Sequence, residues 1–306
     1  MEKRVIFFLL DHIHLLDLAG AVTVFYESGC CGKPYELRYV SPYEAPGSSA
    51  GLGFARVEPL EAITVQRNDI VIVAGIDLSK WDHTQDQQWM PWLQRAAAAG
   101  ATVCSVCTAA FVLAAAGLLN GRECTTHWAY TKALVERFPQ TRVLENKLFV
   151  QSDNIYTSAG ITTGIDLALY LVEIDHGPAF AYTVARDMVV YIRRDGDAAQ
   201  HSIHLQYRQH INHQVHQVQD HIARHLHTKL GIAELAELVY MSPRNLTRLF
   251  KATTGITIGD YIRNLREEKA AQLLKAGHKM AWVAKACGIG SNRQMTQLAR
   301  KAGLAG

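Results

Sequence analysis

Residues 231–255, GIAELAELVYMSPRNLTRLFKATTG, fit two short amphipathic helices and a tight turn into one small stretch. Ile232, Leu235, Ala236 and Val239 recur at the i, i+3, i+4, i+7 spacing that predicts one buried helical face. Ser242 offers an N-cap oxygen and Pro243 suits the first helical position, so a second helix is predicted to start there. Leu246, Leu249 and Phe250 form its apolar stripe, and Gly255 closes it. Arg244, Asn245, Thr247, Arg248 and Lys251 are left on the open side. Arginine matches the guanine edge and asparagine the adenine edge. A helix that carries them in its N-terminal half, over an apolar stripe, suits the major groove.

A degenerate copy follows at 278–303, HKMAWVAKACGIGSNRQMTQLARKAG. Ala281, Val283, Ala284 and Ala286 give its small first helix. Ser291 can cap the second, which would expose Asn292, Arg293, Gln294 and Gln297. Between the copies, Thr257–Ala276 reads as a long connecting helix with Ile258, Tyr261, Ile262, Leu265 and Leu273 inward.

Charge separates this region from the rest. Residues 205–306 hold 15 Lys/Arg against 6 Asp/Glu, whereas residues 1–204 hold 16 against 22. A basic third beside an acidic body points to a polyanion partner for that third alone. The 306 residues suffice for two ordinary domains. Apolar runs such as Ala109–Leu119 are too short to span a bilayer, so no membrane partner is expected. The N-terminus MEKRVIFFLLDHIHLLD lacks a cleavage-type small-residue site and reads as a first strand. Six cysteines are too sparse for a disulfide scaffold, which favours a reducing cytoplasm.

The first 190 residues alternate strand-like and helix-like patterns. Val5–Leu10, Leu37–Val40, Ile70–Ala74, Thr102–Val106 and Ile155–Thr157 are predicted strands. Leu18–Glu27, Pro91–Ala99, Ala109–Ala116, Thr163–His176 and Ala181–Arg193 are predicted helices. Such alternation predicts a parallel sheet covered on both faces. RRDGDAA at 193–199 is polar and reads as a linker, and Gln206–Leu226 as one long helix. Eight of the 14 histidines fall between His201 and His227. His221 and His225 have the four-residue spacing of a zinc pair, but no Cys or H-E-x-x-H glutamate is in register, so no metal is expected.

Val103–Gly121, VCSVCTAAFVLAAAGLLNG, places Cys107 between a strand and a helix. That is the sharp turn that presents a nucleophile in many α/β enzymes. A helix N-terminus there would lower the thiol pKa. A buried structural cysteine is the alternative. Cys104 and Cys107 also have C-x-x-C redox spacing, although Cys104 falls inside the strand. Cys30 and Cys31 read as the end of a helix.

The stretch from about 211 to 303 resembles the AraC/XylS-type DNA-binding domain, through AELVYMSPRNLTRLFKATTG, YIRNLREEKAAQLL and VAKACGIGS in order. The resemblance implies two helix-turn-helix units about one DNA turn apart. The chain departs from that pattern at Ala299, where an aromatic anchor is expected, and at Gly306, where relatives usually continue. The first unit is therefore expected to carry most of the base reading. SVCTAAFVLAAAGLLNGRECTTHWAY, with LLDLAGAVTVF and YTSAGITTGIDLALYLVE, resembles the DJ-1/PfpI-like, class I glutamine-amidotransferase-like superfamily. The whole chain resembles the GlxA-type regulators, which join the two domains. Carried over, Cys107 matches the elbow cysteine, Thr108 follows it as in the isonitrile-hydratase-like branch, and Asp17 matches the acid that faces the cysteine. The histidine that follows the cysteine in protease-like members is replaced by Thr108. Ala109, in place of the usual glycine, and Gly20-Ala21, in place of Gly-Pro, are also implied to lean away from catalysis.

These readings together predict a flavodoxin-like parallel α/β sandwich at 1–192, a linker at 193–208 and an all-α domain with two helix-turn-helix units at 209–306. The expected function is a cytoplasmic, homodimeric transcriptional regulator that binds double-stranded DNA and a small-molecule effector, with no cofactor and no enzymatic role. The ligand site is expected at Asp17, Cys107, Thr108, His127 and Gly160, with Cys107 and Asp17 as vestigial catalytic groups. Relatives imply small nitrogenous effectors such as amino acids or quaternary amines. A hydratase- or amidase-like enzyme and a thiol-redox regulator, both using Cys107, stay open at this point.

Overall fold

A computed structural model describes residues 2–82, 88–190, 194, 196, 200, 203–208, 210–275, 277–290, 295, 296 and 298. The chain divides into two compact units, 1–200 and 201–306.

The first unit runs β1 (Arg4–Phe8), α1 (Leu15–Cys30), β2 (Glu36–Ser41), β3 (Glu58–Pro59), β4 (Ile70–Val73), α2 (Met90–Ala98), β5 (Thr102–Val106) and α3 (Ala109–Ala115). It continues through β6 (Glu123–Cys124), α4 (Thr131–Arg137), β7 (Arg142–Val143), β8 (Phe149–Ser152), β9 (Ile155–Ser158), α5 (Thr162–His176) and α6 (Pro178–Asp187). Among the described residues seven of these strands build a sheet ordered β3-β2-β1-β4-β5-β9-β8, parallel except for the β8–β9 hairpin, and β6 and β7 pair separately. The expected flavodoxin-like α/β architecture is thus present. Strand β4 is a continuous apolar run, and β1 and β5 are buried beyond their first residue, as expected of strands covered on both faces.

The strand order reverses between β1 and β4. The chain steps outward from β1 to β2 and β3, then returns and steps the other way through β4 and β5. Right-handed crossovers therefore place α1 and α2 on opposite faces. Such a switch point leaves a crevice beyond the carboxyl ends of the strands. Asp17 follows β1, Gly75 follows β4, Cys107 follows β5 and Gly160 follows β9, all at that end.

One predicted helix ends earlier than expected. The one expected over Ala181–Arg193 is α6, Pro178–Asp187, capped at Met188 and followed by Val189 with φ 57°. Gly177, with φ 84°, sets its start. Its expected end, Tyr191–Arg193, lies outside the described residues.

The second unit contains α7 (Ile203–Gln206), α8 (His213–Arg224), α9 (Ile232–Glu237), α10 (Pro243–Thr254), α11 (Ile258–Lys275) and α12 (Met280–Cys287). The single helix expected over Gln206–Leu226 is broken between α7 and α8. Asn212 explains the restart: its side chain caps the Val215 amide at 3.0 Å. Ile203–Tyr207 packs on α11, through the Ile203 amide to Glu268 at 3.0 Å and a Tyr207–Tyr261 ring contact. One core joins Val215, Val218 and Ile222 to Leu235, Ala236, Val239, Leu246, Phe250, Tyr261 and Leu265. A smaller one joins Ala270 and Leu274 to Val283, Cys287, Met295 and Leu298. Ile232, expected inward, is exposed at the first turn of α9. Among the described residues no helix is long and apolar enough to cross a membrane.

Candidate functional site

Cys107 occupies the turn from β5 to α3 with φ 60°, a conformation that a non-glycine residue adopts rarely. The elbow is held at both ends. The Cys107 amide donates to Ser158 O at 3.0 Å, and its carbonyl accepts from Thr126 Oγ1 at 2.9 Å. Two glycines make room for it. A Cβ on Gly160 would stand 2.2 Å from Cys107 Cβ, and one on Gly75 would stand 2.2 Å from Asp17 Oδ2.

Asp17 sits in the first turn of α1 and is buried. Its Oδ1 accepts the Ile161 amide at 2.6 Å. Burial pushes its carboxyl above the ordinary aspartate range, against the lowering effect of that amide. Burial also raises the Cys107 thiol, and the neighbouring Asp17 carboxylate raises it further. The expected lowering by a helix N-terminus is therefore overturned: desolvation and a facing acid outweigh one short helix. Thr108 is likewise engaged. Its hydroxyl donates to Ile76 O at 2.7 Å and accepts from the Ile76 amide at 2.8 Å, which ties α3 to the end of β4.

A cavity of about 420 Å³ opens over this pair, lined by His14, Leu15, Leu16, Asp17, Ser49, Cys107, Thr108, His127, Tyr130 and Ile161. Its size suits a small metabolite. His14 Nδ1 and Ser49 Oγ lie 3.2 Å apart, and the His127 ring tilts against Trp128 and Tyr130 at 5.3 and 5.9 Å. His127 Nδ1 accepts the Ala129 amide, which leaves the proton of a neutral ring on Nε2. The structure thus gathers the expected Asp17, Cys107, Thr108 and His127, with Gly160 packed behind the cysteine. His14, Ser49, Tyr130 and Ile161 were missed. His14 and Ser49 come from separate loops, and Ile161 adopts φ 52° despite its β-branch, which no sequence pattern announces.

Cys104 is buried within β5, and its thiol is also raised by burial. A thiol-redox pair would need two accessible sulfurs, and neither Cys104 nor Cys107 is exposed. Cys30 ends α1 and Cys31 caps it. His221 and His225 stack at 4.2 Å, and among the described residues no group of three ligand-type side chains gathers to hold a metal.

In the second unit the α9–turn–α10 geometry follows the sequence reading. Tyr240 turns the chain with φ 55°, and the Met241 amide returns to Ala236 O at 2.9 Å. Ser242 Oγ accepts the Asn245 amide at 3.3 Å, Pro243 starts α10, and Gly255 ends it in the left-handed conformation. Leu246 and Phe250 are buried, while Arg244, Asn245, Arg248 and Lys251 are exposed on the other side. Thr247 differs from its neighbours: half-buried, it donates its hydroxyl to Pro243 O at 2.8 Å, within its own helix. Ser291, Asn292, Arg293, Gln294, Gln297 and Ala299 lie outside the described residues. The turn after α12 is described, and it holds a residue the sequence reading did not single out. Arg266 on α11 donates to Leu226 O at 3.0 Å and Thr228 O at 2.7 Å, beside Gly288, where a Cβ would meet Leu226 O at 2.5 Å. Arg266 thereby ties α11 to the segment that follows α8, with Gly288 of the turn after α12 close beside it.

The elbow cysteine, its facing acid and the switch-point crevice define an enzyme-like α/β domain, joined here to a helix-turn-helix domain. The chain belongs to the DJ-1/PfpI family, whose model matches residues 3–174, and a helix-turn-helix domain of AraC type matches residues 235–302. It is 35% identical over 202 residues to the HTH-type transcriptional regulator CdhR of Pseudomonas aeruginosa, covering 65% of this chain and 60% of that one. It is 28% identical over 280 residues to the HTH-type transcriptional regulator GlxA of Rhizobium meliloti, covering 89% and 84%. Over 174 residues it is 42% identical to the isonitrile hydratase of Pseudomonas putida, covering 56% and 72%. The chain spans about three fifths of CdhR's length.

Proposed function

We propose that the protein is a sequence-specific DNA-binding transcriptional regulator whose α/β domain senses a small effector. The observation that carries this reading is α10: a capped helix, anchored by Leu246 and Phe250, that turns Arg244, Asn245, Arg248 and Lys251 to solvent. Arg244 and Asn245 lie in its first turn, where the helix dipole also favours phosphate. The regulator names of CdhR and GlxA support the same reading. Asn292, Arg293 and Gln294 are proposed for the second reading head on sequence grounds alone.

The effector site is proposed at the cavity over Asp17, Cys107, Thr108 and His127. A small molecule there acts by binding DNA-competent and DNA-incompetent forms unequally. A homodimer in the cytoplasm completes the reading. The dimer rests on the resemblance to GlxA-type regulators, and the compartment on the six free cysteines.

A second reading, turnover of a small substrate at Cys107 and Asp17, is favoured by the isonitrile hydratase similarity and by the elbow geometry. The raised thiol speaks against a standing thiolate nucleophile. The two readings separate in one comparison. Binding to the protein's own promoter region is measured against random DNA for the parent and for Cys107→Ser, alongside turnover on a panel of isonitriles and amides. A regulator prefers the promoter in both proteins and shows no turnover. Turnover lost in Cys107→Ser, with no DNA preference, would replace it with the enzyme.

A further inference from the structure

Arg194 and Gln200, near the end of the first unit, are each fastened beside residues that line the cavity. Arg194 forms an ion pair with the buried Asp166 of α5: Nε and one Nη reach the same carboxylate oxygen at 3.0 and 2.6 Å, and the Arg194 amide reaches the other at 3.1 Å. The same Nη donates to Thr162 Oγ1 at 2.8 Å. Thr162 directly follows Ile161, which lines the cavity and gives its amide to Asp17. Arg194 therefore holds the first turn of α5 from outside while the cavity's acid holds it from inside.

Gln200, the last residue of the unit, is fastened at a second point. Its Nε2 donates to Thr126 O at 3.0 Å, Lys147 O at 2.9 Å and Thr125 Oγ1 at 3.3 Å. Thr126 gives its own hydroxyl to Cys107 O, and the next residue, His127, lines the cavity. Between the two points, Gly196 O accepts the Leu148 amide at 3.0 Å. A Cβ on Gly196 would meet Phe149 O at 2.6 Å, so this contact requires glycine.

We propose that Arg194 and Gln200 are positioning residues that couple the Asp17–Cys107 cavity to the segment entering the DNA-binding unit. The proposal rests on reading the cavity as the effector site. A ligand that draws Asp17 off the Ile161 amide, or moves His127, shifts the first turn of α5 or the Thr125–Thr126 strand end. Each shift changes the acceptors that Arg194 and Gln200 use. Arg194 and Gln200 then keep their acceptors in one arrangement and lose them in the other, which is the differential contact a two-state switch requires.

The test uses full-length protein, hydrogen–deuterium exchange, and a DNA fragment selected by the parent protein from a random-sequence pool. Asp17→Asn, which keeps the shape of the side chain and weakens its hold on Ile161, is expected to raise exchange across 194–200 by about tenfold. Arg194→Gln is expected to change affinity for the selected DNA by about five- to tenfold. Asp17→Asn added to Arg194→Gln is expected to change it little further, because both act through one contact. Arg194→Lys should restore part of the parent behaviour. Thr162→Val, which removes only the hydroxyl that Arg194 uses, should raise exchange at 194–200 even if the Asp17 variant folds poorly. Exchange that rises at 160–163 but not at 194–200, or fully additive effects on affinity, would overturn the coupling. Exchange that rises across 194–200 with unchanged DNA affinity supports the coupling and removes the sensing reading instead.

Discussion

Gly160 approaches Cys107 so closely that a Cβ on it would lie 2.5 Å from the cysteine sulfur. Its φ of +95° is one that L side chains rarely adopt. Gly160→Ala combines a strained backbone, about 1–2 kcal/mol, with overpacking of about 1–3 kcal/mol. The expected result is a loss of roughly 3 kcal/mol in denaturant unfolding. Gly160→Ala with parent stability would show that the elbow is looser than described.

Cys107 reactivity follows from its surroundings. Burial and Asp17 both hold its proton on. Iodoacetamide at neutral pH should label the exposed Cys30 well before Cys107. Asp17→Asn removes the facing charge and should speed Cys107 labelling, with its pH profile shifted downward. Mass spectrometry of the labelled peptides checks both. Cys107 labelled as fast as Cys30 would restore the case for a nucleophile.

Asp17 gives stability a pH dependence of defined sign. Its folded pKa is raised, so the folded state binds more protons at this site than the unfolded chain does. The contribution is fully present below the ordinary aspartate value of 3.8 and is lost as pH rises through the folded value. Asp17→Asn stays neutral throughout. Its melting temperature relative to the parent should therefore rise as pH increases from the carboxylate range toward neutrality. A difference that stays flat or falls would mean that Asp17 is ionised at little cost in the folded protein.

Arg266 should matter beyond its share of stability. Arg266→Ala removes charge-assisted bonds to Leu226 O and Thr228 O, each worth about 1.5–3 kcal/mol. Because it joins α11 to the segment after α8, close beside Gly288 of the turn after α12, the variant should also shorten the footprint on selected DNA to one major-groove segment. An unchanged footprint in a destabilised variant would reduce Arg266 to a packing residue.

The sequence made the elements of both units legible where periodicity and caps agreed. Ser242, Pro243 and Gly255 placed α10 to the residue, because each has one local job that does not depend on distant contacts. Cys107 was legible through its place after β5, and Asp17 only through the family resemblance. Their protonation was not, because desolvation comes from residues far along the chain. At RRDGDAA the polarity and glycine are visible in the sequence, whereas the Arg194–Asp166 pair forms only after folding. The break before α8 was missed because the histidine-rich stretch keeps helical spacing across it, and only the Asn212 cap marks the restart.

The most direct test of the account is selection of bound sequences from random DNA by the full-length protein, repeated with Arg244→Ala and Arg248→Ala. A reading head on α10 should enrich a defined motif. Each variant should lose about 1–3 kcal/mol of discrimination at one base position while keeping preference at the others. Lys251→Ala should weaken all sequences alike and flatten the salt dependence. No enriched motif with the parent protein, or a motif unchanged in both arginine variants, would contradict the account.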